Sequence, residues 1–497
     1  MRNEEHHPRL EDLFLTRRQL LNRFGMGMGT IGLASTLADA GLLSPVAHAM
    51  EDSSPVSRQP HFPARAKRVI HIFPQGGPSQ MDTFDPKPAL IKYDGQPVAK
   101  VLPDYLKNLP ESVKEDGLLE HRLSGNLCGS PFKFAKHGQC QAEVSELFPH
   151  LARHVDELCI VRAMYTTSSV HEVAMILMNT GDGLLVRPSM GSWVTYGLGS
   201  TNRNLPAFIA LSPTGVPSGD KPISNAFLPG VCRGTSILTN NPKVDKMIEH
   251  IRSTTTSRRE QRRQLSLLQV LNRRHLAERQ RDAFLESRIS AFETAFHMQT
   301  EAADVFDLSK EPEYIRTLYG DTEQGRQLLL ARRLVERDVR FVQVWHKSNK
   351  SWDTHDENNK GQKDRATECD QPLAALIADL KQRGMLDDTL VLWAGEFGRT
   401  PTSDVNDIKN KKGIGRDHNA NGFTIWMAGG GLKRGLVYGK TDDFGAIGIE
   451  DKMSVHDLHA TILHLLGFDH TKLTYRYAGR DFRLTDVYGN VVQELLA

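Results

Sequence analysis

Asp353 and His355 stand two positions apart in the stretch SWDTHDENN, residues 351–359, four residues past the apolar run VRFVQVWH. In extended backbone the side chains at i and i+2 project to the same face, so this carboxylate and imidazole can close on one ion beyond the carboxyl end of a strand. Asp and His near a turn also cap loops, and the pair alone does not decide between the two roles. A second apolar run, DDTLVLWAG, leads straight into Glu396, Arg399 and Thr400. Charges at a strand end are costly unless they bind something or pair with each other. Then GRDHNANG sets Arg416, Asp417, His418 and Asn419 ahead of a third run, GFTIWMAGG. Asp353, His355 and His418 together offer one carboxylate and two imidazoles, a donor set suited to zinc, manganese or iron rather than calcium.

The elements that must position these residues are legible as alternating patterns. RVIHIF, LCIVRAM, LPAFIALS, RFVQVWH, DTLVLWAG and GFTIWMAGG read as short apolar strands, and EVSELFPHLARHV, HEVAMILMNTG, ATECDQPLAALIADLKQRG and SVHDLHATILHLLG read as helices between them. This order predicts an α/β fold with a mainly parallel sheet, whose ligands sit at the carboxyl ends of the strands. Residues 241 to about 335 differ, being highly charged with apolar residues at helical spacing, and read as a long helical insertion or cap. The cluster Arg258, Arg259, Arg262 and Arg263, with Glu260 among it, reads as a solvated helix face, with a docking site for an anion as the alternative. The three histidines His456, His459 and His464 fall on the last helix and read as packing or capping residues, with His456 and His459, three apart, facing the site as the alternative. Asp85 in DPKP marks a rigid loop with a ligand or substrate contact as its alternative use.

The 497 residues carry a formal net charge of +2 and 39% hydrophobic residues, ordinary for a globular chain. This balance gives no argument for nucleic acid or a membrane surface as partner. The five cysteines are scattered with no Cys-x-x-Cys, which supports neither a zinc ribbon nor a redox motif; Cys128 and Cys140 are either one disulfide or two free thiols. Near the amino terminus, Arg17 and Arg18 precede a modestly apolar stretch that ends in Ala47-His48-Ala49. The order of twin arginines, apolar segment and small-residue site reads as a twin-arginine export signal over residues 1–49, followed by a linker over 50–64. The expected location is periplasmic or extracellular, with no membrane span after cleavage.

Beyond these readings, the order Asp353 and His355, then AGEFG, then His418, then HDLHATILHLLG resembles the alkaline phosphatase and sulfatase superfamily. More closely, GGPSQMDTFDPKP, PSMGSWVTYGLG, WDTH, GEFGRTP, GRDHN and YRYAGRDFRLTDV resemble a family of secreted twin-arginine proteins of unknown function, abundant in planctomycetes and assigned to that superfamily. The resemblance covers nearly the whole chain. It implies an alkaline phosphatase-like three-layer α/β/α domain over residues 65–497, and a first metal site kept in Asp353, His355 and His418. It also marks departures: the nucleophile position falls on His171, the aspartate after the first strand on the region of Gln75, and Asp-His-Gly becomes Glu396-Phe397-Gly398. Asp82 or Asp85 would replace the lost aspartate.

A histidine at position 171 can ligate a metal, exchange protons, become phosphorylated, or serve only the structure; the hydroxyls of Thr166 to Ser169 offer a shifted nucleophile. The expectation is an exported hydrolase of a phosphate or sulfate ester, small-molecule or glycan, working through water activated by one or two divalent ions, zinc or manganese foremost. In it Asp353, His355 and His418 hold a metal, His171, Glu396 and Asp82 complete a second site, His171 and Glu396 handle protons, and Arg399 steadies the anionic substrate. The alternative is a non-catalytic binding or assembly protein on the same scaffold, and the sequence leaves enzyme status open.

Overall fold

The computed structural model describes residues 59–497 apart from 108–124, 203, 249–250, 252–255, 280–291, 293–294, 300–303 and 404–413. The segment read as an export signal, residues 1–49, and residues 50–58 of the expected linker lie outside the described residues.

Eleven strands matter for the site: β1 Arg68–Phe73, β2 Leu158–Tyr165, β3 Phe208–Ser212, β4 Thr235–Leu238, β5 Phe341–Trp345, β6 Thr389–Trp393, β7 Gly398–Ser403, β8 Arg416–Asn419, β9 Phe423–Ala428, β10 Leu436–Tyr438 and β11 Met453–Ser454. Nine of them form the central sheet in the order β10-β2-β9-β6-β1-β5-β3-β4, with β11 beside β2. Every pairing is parallel except those of β9, which runs antiparallel between β2 and β6. β7 and β8 form a separate antiparallel ribbon that sets His418 opposite Arg399, with a register shift at Arg416 to His418.

The strands are apolar without interruption because both faces of the sheet are covered. Along β5, Val342 and Val344 join one core and Phe341 and Trp345 the other; along β6, Val391 and Trp393 separate in the same way from Leu390 and Leu392. Seven helices are used below: α1 His171–Thr180, α2 Met190–Leu198, α3 Arg258–Arg279, α4 Glu313–Tyr319, α5 Glu323–Glu336, α6 Asn358–Gln382 and α7 Val455–Leu465. The α4, α5 and α6 side chains fill the first core, and those of α1, α2 and α7 fill the second. The architecture is therefore the expected three-layer α/β/α with a mainly parallel sheet.

Within the stretch 241 to about 335 that reads as an insertion, the α3 residues Leu268, Val270 and Leu271 are exposed, whereas the carboxyl end of the stretch is not set apart. Leu328, Leu329, Leu334 and Val335 of α5 are buried in the core, so this helix belongs to a main layer. Its local composition is charged because Arg332 and Arg333 ion-pair internally with Glu311. Among α7's histidines, His459 is buried with Nε2 at 2.8 Å from Met178 O, and His456 Nε2 lies 2.9 Å from Gly181 O, so both serve packing. All five cysteines, Cys128 and Cys140 included, are free thiols.

Candidate metal centre

Because β2, β1, β5 and β6 point the same way, the segments after Tyr165, Phe73, Trp345 and Trp393 open at one edge of the sheet. The reversed strand β9 brings its amino end, and so His418, to that same edge. Five strands thus deliver the chemistry to one place, the location that parallel α/β sheets give their ligands.

Asp353, His355 and His418 meet there. The His355 Nε2 atom is 3.0 Å from Asp353 Oδ1, His418 Nε2 is 3.2 Å from the same oxygen, and the two Nε2 atoms are 2.9 Å apart. A tetrahedral ion with ligand bonds of about 2.0–2.1 Å separates its donor atoms by roughly 3.3 Å, so this triangle is close to the face such an ion needs. On the other side of the ring, His418 Nδ1 lies 2.8 Å from Ser169 O, a contact in which Nδ1 donates, so Nε2 is the ring nitrogen turned toward Asp353. Asp417 flanks the cluster with Oδ1 3.9 Å from His355 Nδ1. Two overlapping groups have the compactness of an ion site, His171 with Asp353 and His418, and His355 with Asp417 and His418.

The buried His171 opens α1. Its Nδ1 is 2.8 Å from Glu396 Oε1, and its Nε2 is 3.1 Å from Asp353 Oδ2. Burial disfavours a charged His171, yet the contacts to Asp353 and Glu396 outweigh it and raise its pKa above the ordinary imidazole value. With the Nδ1 proton given to Glu396, a neutral ring would set the Nε2 lone pair against a carboxylate oxygen. A proton or a cation must sit between them. Asp353 shows the same balance from its side: burial opposes its charge, but hydrogen bonds to His171, His355 and His418 and the charge of Arg399 hold its carboxyl well below the usual range.

Glu396 is fully buried, and its Oε1 also accepts a hydrogen bond of 2.8 Å from Gly76 N. Its Oε2 has no hydrogen-bond partner among the described residues. An orphaned buried carboxylate oxygen beside a converging set of imidazoles fits a cation, since such an atom otherwise bears its full desolvation cost. The turn that presents Gly76 permits no side chain: φ is +112°, and a Cβ would stand 2.6 Å from Asp353 N. Phe397 closes the cluster, its ring centroid 4.7 Å from those of His171 and His418.

Two of the expected roles move. Arg399 is fully buried and already committed: Nε donates to Gly77 O at 2.9 Å, Nη1 to Arg416 O at 3.1 Å, and Nη2 to Asp353 Oδ1 at 2.6 Å and to Gly76 O. It orients Asp353 and ties three loops together, and does not reach out to an anion. Asp82 is locked away from the cluster in a buried pair with Arg416, 3.1 Å from Nε to Oδ2, and accepts a hydrogen bond of 2.9 Å from Asn358 Nδ2. Burial opposes its charge, and Arg416 together with hydrogen bonds from Ser79, Ser130 and Asn358 more than restores it. Asp82 belongs to neither compact metal-ligand group. The alternative Asp85 is likewise buried beside Lys87 and Arg162. The hydroxyl of Ser168 accepts a hydrogen bond from Val170 N at 3.1 Å, an ordinary turn before α1. Sequence reasoning missed Ser169 O, Gly76 N and Phe397. The glycine pair after β1 was the one readable signal among them.

Fold and site together define an α/β protein with a cluster of histidines and carboxylates at the carboxyl edge of a mainly parallel sheet. Residues 66–496 match the family described as "Protein of unknown function (DUF1501)", and the chain belongs to that family. No curated protein matches the sequence. Solved structures similar to it include the lipoteichoic acid synthase LtaP from Listeria monocytogenes, at 11% identity and a TM-score of 0.37 over 85% of this chain and 76% of that one. The PsFucS1 sulfatase from Pseudoalteromonas sp. is similar at 12% identity and a TM-score of 0.29, over 65% and 62%. Alkaline phosphatase from the Antarctic bacterium TAB5 is similar at 11% identity and a TM-score of 0.29, over 81% and 97%. Likenesses at these scores carry no inference of activity.

Proposed function

We propose that this chain is an exported metal-dependent hydrolase of a phosphate or sulfate ester, small-molecule or glycan. The observation that carries the reading is the convergence of Asp353 Oδ1, His355 Nε2 and His418 Nε2, with His418 Nε2 turned inward by the Nδ1 contact to Ser169 O. Asp353, His355 and His418 would hold the ion, with His171 and Glu396 beside it. A bound divalent ion such as zinc or manganese supplies a water acidic enough to attack near neutral pH and a charge to balance the ester's anion. The protein's own groups do the rest. Arg399 fixes the Asp353 carboxylate, Glu396 keeps the proton on His171 Nδ1, and His171 Nε2 takes up or releases a proton at the inner face of the cluster. No protein nucleophile is needed, which suits the histidine at position 171.

The commitment of Arg399 to backbone carbonyls favours a second reading, a binding or assembly protein on the same scaffold. No helix among the described residues is long and apolar enough to cross a membrane, and Arg17 and Arg18 support export by the twin-arginine route.

Elemental analysis of the protein purified from the exported fraction tests the site. Close to one transition metal per chain is expected, falling to background in Asp353→Ala and His418→Ala. The metal-loaded protein is then assayed on a broad panel of phosphate and sulfate esters. Turnover that vanishes with the metal supports the hydrolase; metal retention without turnover on any ester moves the protein to the second reading.

A further inference from the structure

The balance of +2 over the whole chain hides a local surplus. Residues 252–274 hold seven arginines and one glutamate, a charge of +6, so the rest of the chain stands at −4. Most of this surplus lies on α3, Arg258–Arg279. The helix starts with a capping box: Glu260 Oε2 accepts from Ser257 N at 2.9 Å, and Ser257 Oγ accepts from Glu260 N at 3.3 Å. The one acidic side chain among these arginines is thus engaged at the helix start.

No residue from Arg258 to Leu271 is buried, whereas α1, α5 and α6 each bury a face in the core. Arg258, Arg259, Arg262 and Arg263 are exposed, and so are Leu268, Val270 and Leu271, the last at 47%. At about 100° per residue the four arginines share one half of the helix circumference, and Leu265, Leu267, Leu268 and Leu271 share the other. Arg258 and Arg263 stand at the two borders between the halves, where a long side chain lays its methylene stem along apolar surface and extends its charge beyond it. The exposed part of α3 is therefore both basic and amphipathic.

Charge and apolarity together select the partner. A second copy related by a two-fold axis would set arginines against arginines. An anionic polymer would neutralise the arginines and leave the leucines in water. A layer of anionic phospholipid answers both halves at once, with phosphates for the guanidinium groups and the acyl boundary for the leucines.

We infer that α3 docks the protein on a membrane surface that carries anionic phospholipid. The helix has 22 residues, about 33 Å of length, and lies flat among the headgroups with its leucines turned to the acyl chains. This surface is separate from the metal cluster and does not rest on the hydrolase reading.

The test is sedimentation of the full chain with vesicles at low salt, one set of phosphatidylcholine alone and one of phosphatidylcholine and phosphatidylglycerol in equal parts. The protein is expected to follow the mixed vesicles and not the neutral ones, and to be released as salt rises. Arg259→Gln combined with Arg263→Gln should weaken the partition roughly tenfold or more. Leu268→Ser combined with Leu271→Ser should weaken it roughly tenfold. Because none of these four side chains is buried, circular dichroism and metal content should stay as in the parent. The inference is overturned if the protein stays in the supernatant with mixed vesicles, or if both variants bind as the parent does, which would place the binding on another segment. It is also overturned if only the arginine variant loses binding while the leucine variant keeps it in full, the pattern of a site for an anionic polymer.

Discussion

Asp82 and Asp353 are two aspartates at the same edge of the sheet, each against a buried arginine, and they have opposite fates. Asp82 has no exposed surface, and Arg416 and Asn358 share its oxygens. Asp353 keeps 23% of its side chain exposed; Arg399, His355 and His418 meet its Oδ1 and His171 its Oδ2, so three imidazole nitrogens face it beside the one guanidinium. A guanidinium is permanently protonated, so an aspartate facing only arginine and amide groups is finished as structure. Imidazoles present lone pairs as readily as protons, so an aspartate facing them stays open to an ion. What separates scaffold from site here is the partner, more than the carboxylate or its burial.

The comparison breaks most visibly at Asp82. Asp82→Ala leaves the Arg416 charge buried and unpaired, and the urea midpoint should report a loss of about 3–5 kcal/mol. The folded fraction should keep its full metal complement. A stable variant without metal would make Asp82 a ligand and erase the contrast.

Histidines sharpen it next. His71 and His459 are fully buried, each with one ring nitrogen near a carbonyl, Ala394 O and Met178 O. Burial lowers their pKa values from 6.5 to about 4 and about 3, against weaker support from those carbonyls. The unfolded chain therefore takes up these protons near pH 6.5 while the native protein does not. Stability is complete above that pH and declines as pH falls toward the folded values. Between pH 7.5 and pH 5 each should cost about 2 kcal/mol, and His71→Gln should flatten the dependence of the urea midpoint by about that amount.

Glu396→Gln comes third. It keeps the shape and the bond from Gly76 N but removes the charge behind His171, and metal affinity measured by competition with a chelator should fall roughly 10–100-fold. The smallest effect expected is for Phe397→Leu, which loses ring contacts with His171 and His418 worth about 0.5–1.5 kcal/mol. Unfolding midpoints of the metal-free protein check it.

The same contrast explains how much the sequence revealed. Strands buried on both faces announce themselves as unbroken apolar runs, so RVIHIF, DTLVLWAG and GFTIWMAGG were readable, as was the sheet they build. Asp353, His355, His418, Glu396 and His171 were readable by residue type at strand and helix ends, and the structure brings all five together. The roles of Arg399 and Asp82 were not readable, because the choice of ion-pair partner is made between loops 46 residues apart for Arg399 and 334 apart for Asp82. Ser169 O was invisible for a simpler reason: a backbone carbonyl has no sequence signature. The α5 helix was misplaced because its arginines are charged and buried at once, which a polarity pattern reads as solvent exposure.

The reversed strand β9 has a consequence for the order of events at synthesis. It lies between β2 and β6, so the edge of β2 that pairs with it has no native neighbour until Phe423–Ala428 has left the ribosome, more than 250 residues later. For all that time Leu158–Tyr165 is an apolar strand with an unpaired edge, the kind that invites association between nascent chains. The arrival of β9 both closes that edge and carries in His418, with the short strands β10 and β11 still to follow. Joining of β2 to β6 through β9 and assembly of the ligand cluster are thus a single late step, and uptake of an ion would mark a chain whose sheet has been bridged.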